Sequence, residues 1–215
     1  MAAVSGNPAL GGGAGEDAAP AAFCGAVEAL TAARLRPEVR LGPAPAPRRL
    51  APYAHALTAS VEVDGEELAD GRLVLLHDPG GHEAWQGDFR VVTLTRAALE
   101  PEMAGDPLLP EVGWAWLLDA LQTHAARYTE AGGTVTRCAS QYFGALAERA
   151  ASTEIEMRAS WTPTGGRFER HLAGWCDLLC TCAGLPPATP AHGPLDTPSL
   201  GGVVPMPARR RPRSR

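Results

Sequence analysis

Two stretches of strict alternation constrain this chain more than any other feature of it. Tyr53, His55, Leu57, Ala59, Val61 and Val63 point one way, with Ala54, Thr58, Ser60 and Glu62 opposite. Ile155, Met157, Ala159 and Trp161 alternate in the same manner with Glu154, Glu156, Arg158 and Ser160. Side chains of a strand leave on opposite faces with a period of two, so each stretch has one face for a core and one for water. Strands of this kind belong to an antiparallel sheet that is covered on one side only.

The remaining segments supply the cover and the other strands. Phe23, Val27 and Leu30 recur at helical spacing ahead of Pro37, which predicts a first helix over 21–34. Pro43, Pro45 and Pro47, followed by Arg48-Arg49, read as an extended polyproline connector. The turn signal Asp64-Gly65 ends the strand from Tyr53, and apolar runs at 72–77 and 89–95 predict two further strands. Val112, Trp116, Ala120, Leu121, His124 and Tyr128 predict a second helix that stops at Gly132-Gly133. Strands over 134–143 and 154–161 and a helix over 168–182 complete the order α-β-β-β-α-β-β-α. The expected fold is α+β, a five-stranded, mostly antiparallel sheet with helices packed on one face. Residues 1–19 and 186–215, rich in Gly, Ala and Pro, read as disordered tails around a single domain at 20–185.

Charge and composition exclude several functions. All 19 basic residues are arginine, which removes Schiff-base lysines, the P-loop clamp and Ser-x-x-Lys hydrolases. Residues 21–187 hold 21 acids against 14 arginines, a net of −7, so the body is not expected to bind nucleic acid. A weak phosphate-backbone contact is left to the tail arginines Arg209, Arg210, Arg211, Arg213 and Arg215. No run approaches the ~18–20 apolar residues of a membrane span, so no membrane partner is expected. With no basic, apolar export signal and an odd count of five cysteines, the expectation is a cytoplasmic protein with reduced thiols.

Chemistry-bearing residues are scattered. Cys176 and Cys180 are a helical turn apart but Cys182 lies ~200° further round, so the trio reads as buried apolar residues, with a redox role as the alternative and no metal site. His55 and His124 fall on apolar faces and read as core histidines, while His77 and His82 flank a turn. Glu154 and Glu156 read as a solvated pair. No catalytic motif and no cofactor fingerprint is present in the sequence, so neither catalytic residues nor a cofactor are assigned. Trp114 and Trp116, ~200° apart on one helix, cannot both face a core, so one is expected at an exposed edge or packed under a loop.

Several longer strings carry a family likeness: Arg36-Pro37-Glu38-Val39-Arg40, Ala46 through Tyr53, Glu111 through Leu117, Gly132 through Thr136, Arg158 through Pro163, and Ala183-Gly184-Leu185-Pro186-Pro187. Together they resemble the actinobacterial DUF3000 family over about residues 20–187. The resemblance implies no assigned activity or site residue, and a ribonuclease D-like gene near other members points toward RNA metabolism. The element order is also similar to that of type III secretion chaperone-like domains, which bind other polypeptides.

The function expected from these readings is a non-enzymatic protein-binding or adaptor domain with a protein partner, a second copy of the chain included. An accessory role in RNA metabolism is the alternative, and an enzyme with an unrecognised site is a third. Tryptophan and arginine dominate protein interfaces, so Arg48, Arg49, Trp85, Arg90 and Trp114 are the expected binding residues.

Overall fold

The computed structural model describes residues 19–187. The two tail segments, 1–18 and 188–215, with the arginine cluster at 209–215, lie outside the described residues.

Six strands form one antiparallel sheet in the order β1-β2-β3-β4-β6-β5. They are β1 (Val39–Ala44), β2 (Tyr53–Val63), β3 (Glu66–His82), β4 (Gly87–Ala98), β5 (Tyr128–Ser140) and β6 (Ser152–Pro163). Helix α1 (Ala21–Thr31) precedes the sheet, α2 (Pro101–Ala104, one turn) and α3 (Leu109–Thr123) link β4 to β5, and α4 (Phe168–Cys182) follows β6. The expected α+β class and single covered face hold, but the sheet has six strands where the sequence predicts five. The added strand is β1, which takes in Gly42 and, from the start of the expected proline connector, Pro43 and Ala44. A proline can sit there because β1 is an outer strand, where a ladder bond is needed on one side only.

The alternating residues meet the expectation directly. Leu57, Ala59 and Val61 of β2 and Ile155, Met157, Ala159 and Trp161 of β6 are buried in one apolar core with Leu30 of α1, Leu117 and Leu121 of α3, and Leu172, Trp175 and Leu179 of α4. Each Val, Leu, Ile or Met side chain among them contributes about 1.5–3 kcal/mol on removal from water. Two buried indoles also find hydrogen-bond partners: Trp175 Nε1–H donates to Thr95 Oγ1 at 3.0 Å and Trp161 Nε1–H to His171 Nδ1 at 3.0 Å. Gly71 of β3 lets α4 lie this close. A Cβ there would sit 2.5 Å from the Leu94 carbonyl oxygen and 2.7 Å from the Trp175 ring.

The second helix ends earlier than the spacing predicts. Its left-handed exit is Ala125, at φ 49°, and Tyr128 already belongs to β5. Gly132 and Gly133 lie inside that strand rather than capping a helix. At Gly133 the missing Cβ leaves room for the Arg158 carbonyl and, at 3.0 Å, for the Trp114 ring. Trp114 and Trp116 are both half-buried against the core, so neither projects as a bare edge residue. Trp114 covers Gly133 from one flank of α3, and Trp116 fills the other flank, beside α4.

The uncovered face holds a second, smaller apolar cluster. Ala56, Val74 and Leu76 are buried there beneath Ala51, from the 45–52 loop, and Trp85, from a one-turn 3-10 helix at Glu83–Trp85. The loop is tied down by Arg72, whose Nη2–H donates to the Pro45 carbonyl.

Candidate functional site

The two outer strands differ. β1 is six residues long and carries Pro43. β5 is thirteen residues long, contains no proline, and pairs on one side only, with β6. Gly133, Thr134 and every residue from Thr136 to Ser140 are exposed. The outer N–H and C=O groups of such a strand form a row of unsatisfied donors and acceptors, which is a template for another extended chain.

The start of β5 is held by Arg90. The register slips between Thr129 and Gly132, where Glu130 adopts φ 51°. Arg90, on β4, reaches across β6 to this bulge: its Nη1–H donates to the Glu130 carbonyl at 2.8 Å and to Thr162 Oγ1 at 3.0 Å, and Nη2–H donates to Ser160 Oγ at 2.8 Å. Thr162 passes the connection on, donating its hydroxyl to the Trp85 carbonyl at 2.5 Å. Burial of the guanidinium lowers its pKa from the usual arginine range. Arg90 and Trp85 thus meet at one end of the sheet as parts of a single hydrogen-bonded chain. At the other end of the edge, Arg137 Nη1–H donates to the carbonyls of Ala104 (2.8 Å) and Asp106 (3.3 Å), pinning β5 to the corner between α2 and α3.

The other expected binding residues lie elsewhere. Arg48 and Arg49 are exposed, beside Leu50 at 58 % exposure, on the loop that roofs the uncovered face. Trp114 is on the opposite, helical side of the sheet. The structure therefore brings Trp85 and Arg90 together, places Arg48 and Arg49 on the same side of the sheet, and separates Trp114 from all four.

A cleft of about 290 Å³ lies between α3 and α4, lined by Arg36, Trp116, Asp119, Thr123, Asp177 and Thr181. His124 Nε2 and Asp177 Oδ2 are 2.6 Å apart at its rim, and Arg36 donates to the Pro186 carbonyl at 2.7 Å and to Glu38 at 3.1 Å. Three of the strings that carry the family likeness meet here, through Arg36, Trp116 and Pro186. Sequence spacing placed His124 on an apolar face but had no means of pairing it with Asp177, 53 positions away.

His77 is buried in a stack with Phe89, ring centroids 4.1 Å apart, with Nδ1 3.0 Å from the Asp88 carbonyl, while His82 is exposed against Trp85. Glu156 is held by Arg96 (2.9 Å) and Arg158 (2.8 Å), and these contacts lower its pKa. Cys176, Cys180 and Cys182 are buried, and burial raises all three thiols, Cys180 to about 11 and Cys182 to about 12. Among the described residues no group of three or more His, Cys, Asp or Glu side chains is placed to hold a metal ion, and no helix is long and apolar enough to cross a membrane.

Neither the curated proteins nor the solved structures contain a match to the chain. A family model does match, over residues 19–191, and spans the whole sheet and all its helices; the chain belongs to the DUF3000 family, described as a protein of unknown function.

Proposed function

We propose that the domain is a polypeptide-binding module that takes an extended segment of its partner as a seventh strand along the outer edge of β5. The observation that carries this reading is the edge itself: thirteen residues without a proline, exposed beyond the bulge from Gly133 to Ser140 except at the half-buried Val135. Natural sheets blunt long edges with charges, prolines or covering loops because bare ones recruit other chains. Here the bulge at Glu130 and the pinned Arg137 mark the two ends of the strand, and the middle is left open. Added strands gain affinity from main-chain hydrogen bonds and specificity from alternate side chains. Along this edge those neighbours are Thr134, Thr136 and Cys138 on one face and Val135, Arg137 and Ala139 on the other.

The test is a gatekeeper variant, Thr134→Lys with Thr136→Lys, compared with wild type in native affinity capture and in size-exclusion chromatography. A photo-crosslinker at position 136 maps the contact. The expected result is a partner, or a second copy, that crosslinks at 136 and is lost in the variant. Retention of the same partner by the variant, or crosslinks confined to the 45–52 loop, would overturn the proposal.

A further inference from the structure

The turn from α3 into β5 and the turn from β6 into α4 lie against each other and enclose a cavity of about 230 Å³ lined by Ala125, Arg127, Thr164, Gly165, Arg167 and Arg170. The two turns are joined by one backbone and one side-chain hydrogen bond: Thr164 N–H donates to the Arg127 carbonyl at 2.8 Å, and Arg170 Nη1–H donates to the Ala125 carbonyl at 3.2 Å. Three arginines therefore line one concavity in a body whose net charge is −7 (14 arginines against 21 acids). Elsewhere in the domain Arg36, Arg40, Arg96 and Arg158 each sit against a carboxylate, and Arg72, Arg90 and Arg137 are spent on carbonyl or hydroxyl oxygens. Beside this cavity Glu169 pairs with Arg167 Nε at 2.7 Å, the one ion pair that these three arginines make among the described residues. Arg127 has no side-chain partner among the described residues, and Arg170 spends one of its five N–H donors on a carbonyl.

Gathering like charges in one place costs energy unless an opposite charge is supplied, and the two cations left over call for a doubly charged anion. Guanidinium forks match the oxygen geometry of a phosphoryl group, which can accept from two arginines at once. Gly165 and Gly166 face open space, at φ 82° and 69°, so backbone can be approached closely on that side. We propose that this cavity is a binding site for the phosphoryl group of a small phosphomonoester, held between Arg127 and Arg170, with its alcohol portion in the remaining volume. The site lies apart from the open middle of β5, and neither proposal depends on the other.

The test follows the amide resonances of Gly165 and Gly166 during titration with ribose 5-phosphate, inorganic phosphate and ribose, at ionic strength fixed with sodium chloride. The expected result is saturable shifts with both phosphates, none with ribose, and affinity about tenfold weaker in Arg127→Gln and in Arg170→Gln. Arg127→Gln removes no intramolecular bond, so it carries the test if Arg170→Gln fails to fold. Linear, non-saturating shifts, or equal affinity in wild type and Arg127→Gln, would refute the site.

Discussion

His171 makes the stability of this domain depend on pH in a calculable way. The ring is fully buried, and Trp161 donates to its Nδ1, so the folded ring is neutral with its proton on Nε2, an atom with no partner among the described residues. Burial lowers its pKa from 6.5 to about 4, with Glu169 opposing weakly. In the unfolded chain the same ring takes up a proton near pH 6.5. As the pH falls from 6.5 towards 4 the unfolded state alone gains that proton, so stability is full above pH 6.5 and is lost through this window. The 2.5-unit difference corresponds to about 3 kcal/mol in total, of which about 2 kcal/mol falls between pH 7 and pH 5. With a urea dependence of roughly 2 kcal/mol per molar for a domain of this size, the unfolding midpoint drops by about 1 M over that interval. His171→Gln keeps an acceptor for Trp161 and removes the titration, so its midpoint falls by that much less. His55, whose pKa is also lowered by burial, is present in both proteins and cancels from the comparison. Urea melts followed by far-ultraviolet circular dichroism at pH 7, 6 and 5 measure the difference. Parallel losses in wild type and His171→Gln would show that His171 is not a source of the pH dependence.

Three further predictions rest on packing. Gly71→Ala forces a Cβ onto the Leu94 carbonyl and the Trp175 ring, and thermal melting is expected to register a cost of about 2–3 kcal/mol; a change under about 0.5 kcal/mol would show that α4 does not rest on β3 at this point. Cys24 and Cys138 are exposed while the other three thiols are buried and raised, so a thiol reagent at pH 8 is expected to label two sites quickly and three only on unfolding. Arg36→Ala removes the contacts to Pro186 and Glu38, with an expected loss of about 1–2 kcal/mol and faster proteolysis after α4, read by mass spectrometry of the fragments.

Regular periodicity was what made elements readable. Helix α4 runs over the residues the spacing predicts, Phe168 to Cys182, because its apolar positions recur without interruption between Gly165-Gly166 and Gly184. Strand β6 was equally plain, its alternation undisturbed from Glu154 to Trp161. Strand β1 was not, because Pro43 removes a donor and Gly42 a side chain, and an outer strand tolerates both. The beginning of β5 was hidden by Gly132-Gly133, which at that distance from a helix imitates a terminator. The left-handed turns were taken instead by Ala125 and Glu130, residues that give no such signal. At the candidate site Trp85 and Arg90 were singled out, but their roles could not be read: what couples them is Thr162, 72 positions beyond Arg90 and visible only once β4 and β6 are neighbours. Likewise nothing in the order of residues announces that β5 has one pairing partner, since strand order is a property of the closed sheet.

The unequal edges of the sheet set the stoichiometry of anything built on it. A sheet that could accept strands at both margins would add copies head to tail and grow into an open filament. Here β1 is short and carries a residue with no N–H to give, while β5 is long and free of proline. Under the proposed strand addition, growth from one margin would stop after a single step: two copies joined β5 to β5 about a two-fold axis would form a closed pair of twelve strands, and a foreign strand would leave a one-to-one complex. The proline that concealed β1 in the sequence would then be the residue that keeps the assembly finite.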